Sequence, residues 1–355
     1  MRDDADIDDL NFISDNAGPV HPAVIEAIAA ANRGRVLSYG SDAWSARAIE
    51  AIRAAFEAPE AEVLMVPSGI AANALALSCL LRPWSRVFCA RIAHIEMDEA
   101  GAVSLASGGA EPSLVASDHG RMSADALDKA IASEVPERRG AVTVTQATEA
   151  GTVYSLAALR ELAGVARAYG LPVHMDGARW PNAAAHLGCS LADMTWRAGI
   201  DVLSLGGTKN GLMGAEAVVF FAPAHAAHAS IRRQRMGLML SKARYIAAQH
   251  LAHVQDGLWR ELATAANAAA ARLADGLAMQ PKVEVLHPVE ANMIFARFPR
   301  SLHRKLHEAG ATYAVQDRPE LSALEGPGDT LLTARFVCDW STDSARVDRL
   351  ISCFG

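Results

Sequence analysis

The stretch Asp-Val-Leu-Ser-Leu-Gly-Gly-Thr-Lys-Asn-Gly, residues 201–211, carries a short apolar run into paired glycines and one lysine, Lys209. The apolar run predicts a buried strand, and the glycines predict a sharp turn at its carboxyl end. A lysine held on such a turn presents its amine for chemistry, and Schiff-base formation with a carbonyl is the reaction that suits it best. The alternative is a solvated loop lysine, so the residues that precede it decide between the two.

Strand-like and helical segments alternate on both sides of that stretch. Short continuous apolar runs predict strands buried on both faces, and apolar residues at helical spacing between them predict covering helices. This alternation is typical of an α/β fold with a mostly parallel sheet, in which sites gather at the carboxyl ends of the strands. The predicted strands are residues 62–67, 86–90, 141–146, 172–176, 200–205 and 215–221, and the predicted helices are residues 22–33, 42–58, 70–81, 124–133 and 156–169, with another from about Ala178.

The sequence pattern changes beyond Pro223. A long helical region rich in arginine and then in alanine runs to about Met279, and strand-like segments at 282–286, 291–298 and 330–337 follow it. Such a mixture predicts a smaller α+β domain. We therefore expect an N-terminal segment, residues 1–20, that packs with the small domain, a large domain of residues 21–255 and a small C-terminal domain of residues 256–355.

The composition excludes several classes of protein. Of 355 residues, 51% are hydrophobic and 21% are charged, and the net charge of -7 is scattered, so no basic face for nucleic acid is indicated. Residues 1–9 are acidic where a secretory signal is basic and then apolar, and no apolar run approaches the length of a membrane span, so we expect a cytoplasmic protein. Five scattered cysteines without a CxxC pair predict neither a disulfide framework nor a metal site.

Two strand ends upstream carry residues that suit a bound cofactor. Ser68-Gly69 opens a helix, where free backbone N–H groups and a hydroxyl make a phosphate cradle; the alternative is a simple helix cap. His94 follows the predicted strand 86–90, and its imidazole is either a surface or capping residue or a ring that stacks on a flat heteroaromatic cofactor. The pattern is not GxGxxG, so a nicotinamide dinucleotide site is poorly supported.

A third strand ends in His174-Met175-Asp176-Gly177-Ala178-Arg179. A carboxylate at the end of a buried strand needs a partner, and Asp176 and Arg179 could pair with each other. In the functional interpretation Asp176 keeps a pyridine nitrogen protonated, and Arg179 binds a substrate carboxylate with both arms of its guanidinium. A phosphate turn, a stacking ring, a pyridinium partner and a Schiff-base lysine together are what pyridoxal phosphate requires.

In these motifs the chain resembles the L-threonine aldolase family of low specificity, a branch of the fold type I pyridoxal phosphate enzymes. The resemblance runs from Ser14-Asp15-Asn16 to Ala334-Arg335-Phe336-Val337, and residues 174–179 followed by Thr-Lys-Asn-Gly are its most specific part. Pro67-Ser68-Gly69 with Ala71-Ala72-Asn73, and Ala93-His94-Ile95, support it. It implies a large domain with a mostly parallel seven-stranded sheet.

The resemblance also implies roles for individual residues. It places Lys209 as the Schiff-base lysine, Asp176 at the pyridine nitrogen and His94 stacked on the ring. It implies homotetramers, built as dimers of dimers that share active sites, in which Arg235 reaches the phosphate of the neighbouring subunit's cofactor. The remaining predicted contacts are Ser68, Gly69, Ile70 and Thr208 with the cofactor, and Ser14, Tyr39, Arg179 and Arg335 with the substrate.

The chain departs from the family pattern after its central predicted strand. Many members have a Thr-His pair there, and that histidine helps to handle the β-hydroxyl of the substrate; this chain has Glu149 in its place. We expect His94, directly or through a water, or else Glu149, to take the hydroxyl proton.

The predicted reaction is cleavage of L-threonine, L-allo-threonine or a related L-3-hydroxy amino acid, such as phenylserine, to glycine and an aldehyde. The alternative within the same chemistry is a β-eliminating lyase, which shares the lysine, the aspartate and the arginines. A non-catalytic binding protein on the same scaffold is the alternative outside enzymes.

Overall fold

The computed structural model describes residues 10–316 and 323–355. The expectation for the acidic N-terminus, residues 1–9, lies outside them. The described chain forms two compact units. The larger contains residues 20–149 and 153–260, and the smaller contains residues 10–19, 150–152 and 261–355.

The larger unit is built on a seven-stranded sheet, which confirms the predicted α/β class. The strand order is β1-β9-β8-β7-β6-β2-β3, and β9 runs in the direction opposite to the other six strands. A two-stranded hairpin, β4 with β5, lies outside this sheet. The strands are β1 Glu62–Val66, β2 Arg86–Ala90, β3 Glu111–Val115, β4 Ser117–Asp118, β5 Arg121–Met122, β6 Arg139–Thr145, β7 Val173–Gly177, β8 Val202–Leu205 and β9 Glu216–Phe220.

Helices connect these strands, and polar caps fix where many of them begin. Side chains of Asp42, Ser68, Ser123 and Ser155 each accept a backbone N–H of the first helical turn, as N-caps do. The helices of this unit are α1 Pro22–Ala31, α2 Ala43–Ala55, α3 Gly69–Leu80, α4 His94–Met97, α5 Ala102–Ser107, α6 Ala124–Ser133, α7 Leu156–Ala168, α8 Trp180–Leu187, α9 Leu191–Met194, α10 Ala229–Arg235 and α11 Arg244–Val254, and α12 Leu258–Ala278 begins in it.

The centre of the sheet is fully buried and holds one polar ladder. All five residues of β7 are buried, as a strand covered on both faces requires. His174 contacts Thr143 Oγ1 of β6 through Nδ1 at 2.7 Å and Ser204 Oγ of β8 through Nε2 at 2.9 Å. Burial lowers the pKa of His174 to about 4, so the ring is neutral and ties three strands together. Asp176, two residues on, emerges on the same face.

The smaller unit is an antiparallel sheet with its own apolar core. Its strand order is β10-β11-β13-β12. Phe298, Phe336 and Tyr313 lie at the centre of that core, which Leu10 and Phe12 of the N-terminal segment join. The strands are β10 Glu284–Val285, β11 Met293–Pro299, β12 Ala314–Val315 and β13 Leu331–Val337, and the helices are the remainder of α12, α13 Arg300–Glu308 and α14 Ser344–Ser352.

Several elements differ from the sequence prediction, which contained neither the β4–β5 hairpin and β12 nor the short helices α4, α5 and α9. Strand β3 was not predicted either, because Pro112 and Ser113 interrupt the apolar pattern; an edge strand tolerates such residues. The long helical region is broken, because Gly237 and Asp256 both take the left-handed backbone region that ends a helix, with φ of 72° and 59°. In the described part of the chain, no helix has both the length and the apolar composition that a membrane span needs.

Candidate active site

The predicted phosphate turn is the amino end of α3. Ser68 Oγ accepts the N–H of Ala71 at 3.2 Å, whereas the first N–H groups of the helix, those of Gly69 and Ile70, have no acceptor inside it. A side chain added at Gly69 would meet no atom within 4 Å. Ser68 and Ile70 are exposed. The turn therefore presents backbone donors and the positive end of a helix dipole to open space, which suits an anion.

Asp176 lies buried at the carboxyl end of β7. Its Oδ1 accepts the N–H of Ala178 at 3.0 Å and its Oδ2 accepts Nδ2 of Asn73 at 2.9 Å. Each oxygen of a carboxylate can accept two hydrogen bonds, so Asp176 keeps capacity for a further donor. A protonated pyridine nitrogen is such a donor.

His94 begins α4 and is fixed at both its backbone and its ring. Its N–H donates to Glu149 Oε1 at 2.7 Å, and its Nδ1 lies 2.8 Å from Glu99 Oε1. The hydrogen bond with Glu99 raises the pKa of His94, burial lowers it, the charge of Asp176 raises it and that of Lys209 lowers it. Polar atoms of His94, Glu99 and Asp176 lie within 4.8 Å of one another, and Lys209 follows β8, the strand that pairs with the Asp176 strand β7. His94, Asp176 and Lys209 therefore lie at one edge of the sheet.

Lys209 lies half-buried on a short 3-10 helix, Thr208–Asn210, directly after β8. The turn is anchored by Glu216 of β9, which accepts Thr208 Oγ1 at 2.5 Å and Thr208 N–H at 3.1 Å. Burial raises the pKa of Glu216, and Thr208 and Lys209 lower it. On the other side His253 Nε2 contacts Asn210 Oδ1 at 2.6 Å. Contacts of Thr208 with Glu216 and of Asn210 with His253 therefore fix the turn on both sides of Lys209.

The paired glycines before Lys209 are required by close packing. A Cβ at Gly206 would lie 2.8 Å from backbone atoms of Gly177 and Ala178, and one at Gly207 would lie 2.6 Å from the carbonyl oxygen of Ala215. Only glycine lets the chain pass so close to β7 and β9.

Glu149 lies after β6 at the same edge of the sheet. Its Oε1 accepts Thr145 Oγ1 at 2.9 Å besides the His94 N–H, and its Oε2 is buried. Burial chiefly, and then the charge of Asp176, raise the pKa of Glu149 to about 7, while the N–H of His94 and the hydroxyl of Thr145 oppose them. A carboxyl with this pKa exchanges its proton near neutral pH, as a general base must.

The raised pKa of Glu149 also predicts how stability depends on pH. Between its ordinary value of 4.5 and about 7, the folded chain keeps a proton that the unfolded chain has lost. The contribution of this residue to the free energy of unfolding therefore falls as pH rises through that window. Glutamine does not titrate, so the variant Glu149→Gln does not lose stability in this window. The free energy of unfolding of the variant minus that of the natural chain should therefore rise by up to about 3 kcal/mol from pH 4.5 to pH 8.

Urea denaturation of both proteins at several pH values measures this difference. The matched control is Glu137→Gln, because Glu137 is exposed. A difference between Glu149→Gln and the natural chain that stays constant across the window would contradict the prediction.

The other predicted site residues are placed as follows. Arg179 is half-buried between β7 and α8, where it forms the N-cap position of α8, and Tyr39 is exposed with a φ of 57°. In the smaller unit, Arg335 of β13 donates from Nη2 to the carbonyl of Ile13 at 3.4 Å, next to Ser14. Arg235 is exposed at the end of α10 and lines a cavity of about 470 Å³ in the larger unit.

Sequence reasoning missed three polar residues of this site: Asn73, Glu99 and Glu216. Each is buried, and each bonds to a predicted site residue. A signal was present for two of them. Asn73 is a polar residue in a helix whose other buried positions are nearly all apolar, and Glu216 opens an apolar strand. A buried polar residue in such a setting is bonded to something, although its partner is not readable from the chain.

The residues present fit pyridoxal phosphate. Asp176 offers a buried acceptor with spare capacity, α3 offers donors facing open space, and Lys209 offers an amine after the strand next to that of Asp176. Asp176 thus matches a ring nitrogen, the N–H groups of α3 match a phosphate, and the amine of Lys209 matches an aldehyde carbon.

Comparison with known proteins finds relatives that match nearly the whole chain. The family model described as "Beta-eliminating lyase" matches residues 11–299. Two curated proteins named low specificity L-threonine aldolase, from Pseudomonas aeruginosa and from Pseudomonas sp. strain NCIMB 10558, are 38% and 37% identical over 349 residues. Each alignment covers 96% of this chain and 95% of the relative.

Solved structures share the fold over nearly the whole chain. A threonine aldolase from Leishmania major superposes with a TM-score of 0.88 at 24% identity, covering 97% of this chain and 98% of that one. A serine palmitoyltransferase from Sphingomonas wittichii superposes with a TM-score of 0.70 at 17% identity, covering 97% of this chain and 86% of that one.

Proposed function

We propose the following function for this chain, which belongs to the beta-eliminating lyase family and, within it, to the threonine aldolases. It is a pyridoxal phosphate-dependent lyase. It cleaves the Cα–Cβ bond of L-threonine, L-allo-threonine or a related L-3-hydroxy amino acid and releases glycine and an aldehyde. The observation that carries the proposal is that His94 and Asp176 have polar atoms within 4.8 Å of each other, with Lys209 directly after the strand next to that of Asp176 and the phosphate turn at the same edge of the sheet.

We propose that different side chains bind the cofactor and the substrate. When bound, pyridoxal phosphate supplies a ring that takes up the electron pair of the bond broken at the substrate Cα. Lys209 would hold the cofactor covalently, Asp176 its ring nitrogen, and the Ser68-Gly69-Ile70 turn its phosphate. Arg179 and Arg335 are proposed to bind the substrate carboxylate and so to set which bond at Cα is aligned for cleavage.

One residue must then take the proton from the β-hydroxyl. We favour His94, directly or through a water, because its Nδ1 faces Glu99 and only its Nε2 is left to accept a proton. Glu149 is the alternative, because a pKa of about 7 suits a general base; its Oε1 already accepts two donors and its Oε2 is buried, so a shift of this side chain would have to precede proton transfer. Burial raises the pKa of Glu149 to about 7, and the hydrogen bond with Glu99 raises the pKa of His94 above its ordinary value.

Incubating the purified protein, loaded with pyridoxal phosphate, with a panel of L- and D-3-hydroxy amino acids tests the reaction. Glycine and an aldehyde in equal amounts from the L-isomers are expected. Pyruvate and ammonia from cysteine or tyrosine analogues would instead assign β-elimination. A colourless protein that sodium borohydride cannot label would assign a non-catalytic role.

Replacing Arg179 by lysine tests the carboxylate contact. Lysine keeps the charge but loses the two-armed geometry of the guanidinium, so kcat/KM for threonine should fall about 10- to 100-fold. Steady-state kinetics measure the change, and Arg167→Lys is the control, because Arg167 is an exposed residue of α7. An unchanged kcat/KM in Arg179→Lys would remove this residue from the substrate site.

We also propose that the chain assembles as a homotetramer with shared sites and that it is located in the cytoplasm. The cavity beside Arg235 supports the first, because Leu105 and Ile231 lie on it with 87% and 61% of their surface exposed. Apolar residues exposed beside arginines are typical of an interface with another copy.

A further inference from the structure

We propose that Glu99 is the positioning residue of this site: its Oε1 fixes the ring of His94 directly and the carboxylate of Asp176 through Asn73. The proposal rests on the function proposed above, since it assigns those two side chains to the cofactor. It adds a residue that the sequence pattern did not point to, and it makes the two groups that face the cofactor ring parts of one hydrogen-bonded chain.

The first observation is the setting of Glu99. Its side chain is fully buried, and its Oε1 accepts from Asn73 Nδ2 at 2.7 Å and from His94 Nδ1 at 2.8 Å. A buried carboxylate is stable only when bonded to donors, so these two contacts are what keep Glu99 in place. The dependence is mutual, and a change at Glu99 is transmitted to both partners.

The contact with Glu99 decides which nitrogen of His94 carries the proton. An ionised carboxylate oxygen can only accept, so Nδ1 must be the donor. The neutral ring then has its lone pair on Nε2, on the side away from Glu99. The backbone N–H of the same residue is held by Glu149, so neither the ring nor the main chain of His94 can turn freely.

The link to Asp176 runs through the amide of Asn73. Its Nδ2 carries two hydrogens, and the two short contacts, 2.7 Å to Glu99 and 2.9 Å to Asp176 Oδ2, use both. The reversed amide would point its oxygen at two carboxylates, so the orientation is fixed. Asp176 Oδ1 is fixed separately by the N–H of Ala178.

A metal ion is the competing interpretation of the cluster. Ligand atoms of His94, Glu99 and Asp176 lie within 4.8 Å of one another, close enough to share a cation. However, the amide nitrogen of Asn73 already lies between the two carboxylates as a donor to both, which is the position a cation would need. The geometry therefore favours a hydrogen-bonded chain.

The variant Glu99→Gln tests the proposal, because glutamine has the same shape but no charge. Glu96→Gln is the matched control, since Glu96 lies three residues away and is exposed. The measurement is a pH titration of the protein labelled with nitrogen-15 in histidine, with the His94 signals assigned from a His94→Gln spectrum. The titratable groups around His94, which are Glu99, Asp176, Lys209 and Glu149, are unchanged in the control.

In the natural protein and in Glu96→Gln, we expect neutral His94 to carry its proton on Nδ1. In Glu99→Gln, the pKa of His94 should fall by about one unit, and kcat for glycine formation should fall at least about 10-fold. A His94 titration identical in Glu99→Gln and Glu96→Gln would overturn the proposal. So would a neutral His94 protonated on Nε2, or a stoichiometric shift of its signals on adding Mg²⁺ or Zn²⁺.

A second variant covers the case in which Glu99→Gln does not fold. Asn73→Ser cuts the link to Asp176 and leaves the contact between Glu99 and His94, so we expect weaker pyridoxal phosphate binding, measured by fluorescence titration, with the Nδ1 proton of His94 retained. Unchanged cofactor affinity would overturn the link through Asn73. If no variant, the natural chain included, forms glycine, the proposed function fails while the nitrogen-15 titration still decides the role of Glu99.

Discussion

Lys209→Ala is expected to lower the rate of glycine formation from threonine by at least about 10³-fold. The reason is that covalent catalysis is lost together with a positioned amine, and losses of this size are usual when a catalytic nucleophile is removed. The fold should survive, because Lys209 is only half-buried and the turn is held by its neighbours, Thr208 through Glu216 and Asn210 through His253.

Two measurements decide this prediction. Single-turnover formation of glycine gives the rate, and sodium borohydride reduction should fix the cofactor to the natural protein but not to the variant. Lys129→Ala is the control, because Lys129 is exposed and pairs with Asp125 on the same helix. Glycine formation at a near-normal rate in Lys209→Ala would remove this lysine from the chemistry.

Asp176→Asn is expected to lower kcat about 10²- to 10³-fold. Asparagine keeps the shape of the side chain but not the negative charge that would keep a ring nitrogen protonated, and removing one such electrostatic contact commonly costs this much. The variant should also unfold more easily. With its oxygen bonded to the N–H of Ala178, its own amide nitrogen faces that of Asn73, so two donors oppose each other in a buried site.

The two effects are separated by measuring kcat below the unfolding temperature of the variant, with thermal unfolding followed by circular dichroism. Asp118→Asn is the control, because the side chain of Asp118 is 94% exposed. A folded Asp176→Asn protein with the kcat of the natural chain would show that this carboxylate does not serve the cofactor.

The sequence predicts those parts of the site that depend on strand ends. Ser68, His94 and Lys209 each follow a strand and Asp176 lies at the end of one, all at the same edge of one sheet, because parallel strands bring their carboxyl ends together. The groups that tune these residues lie elsewhere. Glu99 reaches His94 from beyond α4, Asn73 reaches Asp176 from α3, and Glu216 reaches Thr208 from the antiparallel strand β9.

For the fold as a whole, too, local sequence pattern predicts some features and only the packing of the elements decides the others. By itself the sequence determined the α/β class, the parallel strands and the residue types of a pyridoxal phosphate site, because these depend on local periodicity and on side chains at strand ends. Only the tertiary structure decided that Asn73 and Glu99 join His94 to Asp176, and that Glu149 is buried enough to raise its pKa to about 7. Burial and hydrogen bonding between residues 26 to 103 positions apart depend on how the elements pack, which local pattern does not specify.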